Sequence, residues 1–216
     1  MNALLELARL LKPNLVFDWF HRAFADLLVR CAGGDPDVPN LLISSPPGSG
    51  KTELVSILFP AYIFARDQSA HVIALANSDS LATMASGNVL RLVQHPEFQE
   101  RWPRTLDKAA AAQWTIVGND GRPSMHAAGI TGQLTGQRAD YLIFDDLIKS
   151  QSEAYSEVVG ARTAADSAHS CEAGQGKDHP RRRRHPNYDC RISGTAGCTL
   201  AGRLREGDGG LSRGPA

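Results

Sequence analysis

The residues with the clearest potential for chemistry are residues 45–52, which read Ser-Pro-Pro-Gly-Ser-Gly-Lys-Thr. Glycines in such a loop let backbone N–H groups converge on an anion, and the helix that follows adds its dipole. Lys51 supplies a cation that can reach the β- and γ-phosphates of a nucleotide, and the Thr52 hydroxyl can coordinate Mg²⁺. We therefore predict a site for a nucleoside triphosphate, in the simplest case ATP with Mg²⁺. Its nucleotide-binding residues are Pro47, Gly48, Ser49, Gly50, Lys51 and Thr52.

This loop departs from the strict phosphate-loop pattern at its first position, where Ser45 replaces glycine. That position tolerates substitution better than the Gly-Lys-Thr end of the loop. The alternative interpretation is an ordinary glycine–proline turn between a strand and a helix. The strand-like and helical segments on either side of the loop favour phosphate binding.

A pair of carboxylates follows the apolar run at residues 141–144. At the end of a neighbouring strand, Asp145 is placed to hold Mg²⁺ through water. Asp146 occupies the position from which a carboxylate can orient or deprotonate an attacking water. The alternative is a surface pair that caps the next turn. Together with the phosphate loop, the pair favours ATP hydrolysis, with Lys51 and Asp146 catalytic and with Thr52 and Asp145 as metal ligands.

The elements that must position these groups follow an alternating pattern. Short apolar runs at residues 41–44, 71–76 and 141–144 are typical of buried parallel strands. Helical periodicity covers residues 4–11, 17–28, 52–65 and 78–92, and Ser78 can cap the last of these helices. In the second helix the spacing of Phe17, Phe20, Phe24 and Leu28 predicts that these side chains are buried. A hairpin is expected around the turn at residues 118–121. The alternation predicts an α/β fold: a P-loop NTPase-type parallel sheet flanked by helices on both faces.

The chain divides into two parts of different character. Residues 1–162 form the predicted P-loop ATPase domain, and residues 163–216 form a Gly/Arg-rich tail with almost no consecutive apolar residues. Such a tail buries too little apolar surface to offset its ordering entropy, so we expect disorder. The arginine run at residues 181–184 could contact DNA phosphates, although a solvated charge run is the more common case. A zinc site is disfavoured by irregular ligand spacing at His169, Cys171, His179, His185 and Cys190.

Composition excludes several classes of protein. The 216 residues carry a formal net charge of zero, which gives no general case for nucleic-acid binding. No apolar run approaches the ~20 residues needed to span a bilayer, and the N-terminus lacks the features of a secretion signal. The four cysteines form no CxxC pair. These observations favour a cytoplasmic protein with free thiols and no membrane association.

Several segments, in order, resemble the ATPase half of the large terminase subunit of tailed bacteriophages, the family that packages DNA into capsids. They are residues 46–54, 59–62, 74–82 and 127–149. The last is the most specific, because a Thr135-Gly136 turn leads into the carboxylate strand and Lys149 follows it. The resemblance covers residues 15–163, about two-thirds of the chain.

The resemblance implies roles for individual residues and partners. Lys51 and Thr52 would contact the phosphates and Mg²⁺, Asp145 would organise the metal, and Asp146 would be catalytic. The family contacts adenine in the region of residues 17–22. It implies double-stranded phage DNA, a portal protein and a small terminase subunit as partners, and a possible homo-oligomeric ring in a full-length form, within the host-cell cytoplasm. Many members carry an arginine at the position of Gly48, and Arg138 and Arg104 are possible substitutes.

The sequence also departs from this family after Asp146. The family continues with a strand that ends in a short threonine-containing coupling motif and then with a nuclease domain. Residues 193–195 and 200–204 are similar to the coupling region only with different spacing, and no acidic triad follows. We therefore expect no nuclease activity and a truncated or frame-disrupted terminase, as in a prophage remnant. The alternatives are another P-loop ATPase of helicase-loader or AAA+ type, and a nucleotide-binding fragment that does not hydrolyse ATP.

Overall fold

The computed structural model describes residues 2–38, 40–130, 132 and 137–147, and the backbone of residues 198–203. Its helices are α1 (Ala3–Leu11), α2 (Trp19–Gly33), α3 (Phe59–Arg66), α4 (Asp79–Val93) and α5 (Pro96–Arg101), and a π-helical segment (Glu53–Leu58) precedes α3. Its strands are β1 (Asn40–Ser44), β2 (Val72–Ala76), β3 (Leu106–Ala110), β4 (Gln113–Ile116), β5 (Met125–Gly129), β6 (Tyr141–Asp145) and β7 (Cys198–Arg203). None of the helices in these ranges has the length and apolar character required to cross a bilayer.

The strands form one mixed sheet in the order β1-β7-β6-β2-β5-β4-β3. β2 is parallel to both β5 and β6, whereas β3 and β4 continue the sheet in antiparallel pairs. The predicted α/β fold and the hairpin around residues 118–121 are confirmed. The sheet is not parallel throughout, because the short connections on either side of β4 cannot make the crossover that parallel neighbours require.

Strand β7 lies inside the sheet, next to the edge strand β1, between β1 and β6, and is antiparallel to both. We expected no regular structure in residues 163–216, and this expectation is wrong for Cys198–Arg203. The pairing has a physical reason: one inserted strand satisfies the backbone donors and acceptors along the facing edges of two strands at once. The rest of the predicted tail and the boundary at residue 162 lie outside the described residues.

Most of the core lies on one face of the sheet. All five helices contribute residues to this larger buried cluster, which contains the fully buried Trp114, Phe59, Phe64 and Phe98. A smaller cluster on the other face contains Ile73, Leu75, Ala128, Ala139, Leu142 and Phe144. Within the described ranges, helices therefore cover one face of the sheet, whereas we predicted helices on both faces.

Two of the predicted buried segments are exposed on one side. The sequence of β1 is almost continuously apolar, but its residues alternate between exposed and buried, and Leu42 is half exposed. In α2 the buried residues are Ala25, Leu28, Cys31 and Ala32. The aromatic residues that we expected to be buried there, Phe17, Phe20 and Phe24, are only partly covered. They lie near the helix start, beside an open pocket described below.

The helix after the phosphate loop changes its winding between residues 53 and 58. Phe59 N–H donates to the carbonyl of Leu54, five residues earlier, which is the π-helical pattern. Pro60 explains the wider turn. It has no N–H to donate to the carbonyl of Ser56 four residues earlier, and its ring would clash with that carbonyl in a regular α-helix.

Gly129 gives a first testable prediction. A Cβ added at this position would lie 2.8 Å from the backbone N of Asp79, and the Gly129 N–H donates to the Asp79 side chain over 2.7 Å. We expect Gly129→Ala to lower the free energy of unfolding by about 1–3 kcal/mol, because backbone must move to admit the methyl group. Urea denaturation measures the change.

Gly87 in α4 provides the matched control. A Cβ there would meet the Ala111 Cβ at 3.5 Å, an ordinary contact. Because alanine is a better helix former than glycine, Gly87→Ala should raise the free energy of unfolding by about 0.5–1 kcal/mol. Equal effects of the two substitutions would contradict the close approach at Gly129.

His126 on β5 gives a prediction about pH. Its Nδ1 is buried and has no hydrogen-bond partner among the residues that the structure describes, and burial lowers the pKa of the imidazole below its ordinary 6.5. The unfolded chain therefore takes up a proton at a higher pH than the folded chain does, so stability falls as pH drops below about 6.5. Between pH 7.5 and pH 5.5, the urea midpoint should therefore fall further in the native chain than in His126→Gln. An identical fall in both proteins would count against this assignment.

Candidate functional site

The loop at residues 45–50 connects β1 to the helix that begins at Lys51. Gly48 and Gly50 both adopt left-handed backbone conformations, with φ of 75° and 77°. These conformations turn successive backbone N–H groups toward one concavity, which is the geometry that binds anions. The Leu54 N–H donates to the Gly50 carbonyl and so starts the helix directly at the loop. The loop therefore turns at its two glycines and leads directly into the helix.

Two side chains hold Ser49 at the centre of this loop. The hydroxyls of Ser45 and Ser49 lie 2.7 Å apart, so the residue that replaces the first glycine of the strict pattern closes the base of the loop. His21 contacts the Ser49 carbonyl through Nε2 at 2.8 Å, while its Nδ1 accepts from the Asp18 N–H. Because Nδ1 is an acceptor, Nε2 carries the proton and donates to Ser49. Helix α2 thus fixes the loop from outside.

Sheet register explains why the loop and the carboxylates meet. Ile43 of β1 and Asp145 of β6 both pair with residue 199 of β7, so they lie at the same level of the sheet. Strands β1 and β6 point in the same direction, and both end at this edge. Two segments almost a hundred residues apart in the chain are thereby placed side by side.

Lys51, Asp145 and Asp146 come together at this edge. The Lys51 Nζ lies 3.8 Å from Asp145 Oδ1 and 3.6 Å from Asp146 Oδ1. Lys51 and Asp145 are each 8% exposed, whereas the Asp146 side chain is 53% exposed. Asp146 also has a φ of 48°, unusual for a residue other than glycine. This left-handed conformation ends β6 abruptly and turns the second carboxylate toward the lysine and solvent.

Asp145 has a second partner that the sequence analysis did not identify. The Ser56 hydroxyl, in the π-helical segment, donates to Asp145 Oδ2 over 2.7 Å, and both residues are buried. The signal for Ser56 was a single hydroxyl inside the apolar run at residues 54–59. Thr52 lies next to Lys51 in the first turn of the helix and is exposed.

A pocket of about 260 Å³ opens beside the loop. One wall of the pocket is the start of α2 with its aromatic rings, and the other wall is the loop and the π-helical segment. The lining includes Leu15, Phe17, Phe20, His21, Ser49 and Leu54. Glu53 also lines it and forms an ion pair with Lys12, the residue directly after α1. Apolar and polar surfaces line the pocket in nearly equal parts, and the phosphate loop lies along one side.

The two arginines considered as charge-stabilising groups lie elsewhere. The Arg104 guanidinium donates to the carbonyls of Phe64 and Ala65 at the end of α3, and burial lowers its pKa, although Asp67 opposes that shift. Arg138 is exposed just before β6, at the opposite end of the strand from Asp145. The structure thus does not bring either arginine to the carboxylates. The Thr135-Gly136 turn and Lys149 lie outside the described residues.

The described residues contain no group of three or more His, Cys, Asp or Glu side chains that could hold a metal. In the described part of the chain, the side-chain oxygens at this edge include the Asp145 and Asp146 carboxylates and the hydroxyls of Thr52 and Ser56. That donor chemistry suits Mg²⁺, which prefers one or two carboxylates and phosphate oxygens to an all-protein cage.

A model of a known protein family matches a long stretch of the chain. The family model described as "Terminase large subunit, T4likevirus-type, N-terminal" matches residues 42–169, more than half of the 216 residues. The match includes the loop, the π-helical segment and both carboxylates. No curated protein matches the chain.

Proposed function

Since the chain belongs to the family of T4likevirus-type terminase large subunits and matches its N-terminal part, we propose that it binds ATP with Mg²⁺ and hydrolyses it to drive DNA packaging. The observation that carries the proposal is the position of the Lys51 Nζ, within 4 Å of both Asp145 and Asp146. A lysine from a phosphate loop and two carboxylates from a neighbouring strand are the groups that phosphoryl transfer requires.

Each residue has a distinct role in this proposal. Pro47 leads into the loop, backbone N–H groups from Gly48 to Thr52 surround the phosphates, and the Lys51 ammonium contacts the β- and γ-phosphate oxygens. Thr52 and Asp145 hold Mg²⁺, which when bound neutralises charge on the phosphates. Asp146, more exposed than Asp145, orients the attacking water and accepts its proton.

The pocket beside the loop suits the nucleoside. Its aromatic rings offer faces for a base to stack on, and its edge is formed by Ser49 and Gly50 of the phosphate loop. A base in this pocket would place its phosphates along the loop. The lining includes Phe17, Phe20 and His21, within the region where the resemblance implied adenine contacts, and this agreement supports ATP as the nucleotide.

Double-stranded phage DNA, a portal protein and a small terminase subunit are the partners we propose for the motor. A second candidate function is nucleotide binding without efficient hydrolysis. It is favoured by the positions of Arg104 and Arg138, neither of which reaches the carboxylates. Phosphate release and the affinity for a fluorescent ATP analogue, measured on the purified chain, separate the two functions. A chain that binds no nucleotide would refute both.

A further inference from the structure

We propose that Ser56 is a positioning residue for the metal-binding carboxylate: its hydroxyl holds Asp145 in the orientation that binds Mg²⁺ with ATP. This inference deepens the proposed function and rests on it. It starts from the 2.7 Å hydrogen bond that Ser56 donates to Asp145 Oδ2.

The two oxygens of Asp145 face different groups. Oδ2 accepts the hydrogen bond from Ser56, and Oδ1 faces the Lys51 ammonium at 3.8 Å. The first contact is short, and Ser56 is only 2% exposed, so water does not compete with it. The second contact is longer than a hydrogen bond. The neutral hydroxyl, more than the lysine, therefore fixes the rotation of the carboxylate.

The contact between Ser56 and Asp145 also has a consequence for Lys51. Without the serine hydroxyl, the carboxylate would lose this short contact and would turn more easily toward the ammonium, so the two charges would approach each other. A lysine in a tight pair with Asp145 would be less available to phosphate, and Asp145 would be less available to the metal. Ser56 thus keeps the Lys51 ammonium and the Asp145 carboxylate apart.

The π-helical segment explains how a serine reaches this position. Ser56 lies four residues after Thr52 in a run where the neighbouring Val55 and Ile57 are buried apolar residues. The widened turn required by Pro60 adds one residue before α3 and so alters which side chain faces β6. Here that side chain is a hydroxyl, opposite the last residue of β6.

The test is the Mg²⁺ dependence of nucleotide binding. A fluorescent ATP analogue is titrated at increasing Mg²⁺ concentrations with the native chain and Ser56→Ala. We expect the Mg²⁺ concentration for half-maximal binding to rise about 10-fold or more, as is typical when a residue that orients a metal ligand is lost. Binding of the analogue in EDTA should weaken far less than binding with Mg²⁺, because the backbone N–H groups of the loop are unchanged and only the availability of Lys51 is reduced.

Ser86→Ala is the matched control. Ser86 is another fully buried serine with a hydrogen bond to a distant side chain, the Trp114 indole N–H at 3.1 Å. Its loss should lower thermal stability and leave the Mg²⁺ midpoint unchanged. Ser56→Cys fills the same space with a poor donor and should raise the midpoint as alanine does. Ser56→Thr keeps the hydroxyl and should restore the midpoint even if its extra methyl group lowers the melting temperature.

The outcomes separate the inference from the proposed function. The inference is wrong, and Ser56 is only a packing residue, if two results occur together. The native chain would bind nucleotide in a Mg²⁺-dependent way, and Ser56→Ala and Ser56→Cys would show the same Mg²⁺ midpoint as the native chain. If the native chain binds no nucleotide, or binds it without any effect of Mg²⁺, the proposed function fails and the inference fails with it.

Discussion

Lys51→Ala is expected to reduce ATP turnover by about 10²- to 10³-fold and to weaken nucleotide binding. The substitution removes the cation that lies within 4 Å of both Asp145 and Asp146. Two carboxylates would then face the incoming phosphates without a compensating positive charge, so binding loses an attraction and gains a repulsion. Phosphate release and titration with a fluorescent ATP analogue measure the two effects.

Arg9→Ala is the control for the change in charge. Arg9 is an exposed cation in the last turn of α1, and its removal alters the net charge by the same amount as Lys51→Ala does. Turnover should stay within about twofold of the native value, since an exposed surface charge contributes little. Native turnover in Lys51→Ala would refute the assignment of the site, whereas nucleotide binding without turnover in the native chain would support the second candidate function.

Asp146→Asn is expected to reduce turnover by about 10²- to 10⁴-fold while nucleotide affinity stays within a few fold. The amide keeps the size of the side chain but cannot accept a proton from the attacking water. Asparagine also tolerates the left-handed backbone of this position, where φ is 48°, so the turn after β6 should persist. Single-turnover phosphate release, beside binding of the analogue, separates chemistry from affinity.

Asp120→Asn is a matched control for this change. The Asp120 side chain is also 53% exposed, and its hydrogen bond with Arg122 lowers its pKa to about 2. It lies in the turn between β4 and β5, at the other end of the strands from the loop, and its substitution should leave turnover unchanged. If both variants keep native turnover, Asp146 is not the base, and the proton is accepted by another group.

The phosphate loop and the carboxylate pair could be predicted from sequence because their signals are local. Glycine spacing, a lysine at a helix start and an apolar run ending in two aspartates are each contained in fewer than ten residues. That they meet also follows from sequence, because parallel strands carry their carboxyl ends to one edge. The distances between Lys51 and Asp145 and between Lys51 and Asp146 agree with that expectation.

The contacts that the sequence could not supply are long-range. Ser56 and Asp145 are 89 residues apart, and His21 and Ser49 are 28 apart. No periodicity predicts that one buried hydroxyl will face one carboxylate, since the π-helical turn that directs it depends on Pro60. The partial exposure of Phe17 and Phe20 was missed for a similar reason: aromatic spacing indicates a helix but does not distinguish a core from the wall of a pocket.

The position of β7 also bears on when the site can form during synthesis. The loop and the carboxylate pair are translated early, yet their two strands share no neighbour until Cys198–Arg203, more than 50 residues after Asp145, has left the ribosome. Closure of that long segment is an entropic barrier that local helices do not face, so α1–α5 can form before the sheet is continuous. Nascent chains therefore expose the facing edges of β1 and β6 for this interval, and the site is completed only when the last strand pairs with both.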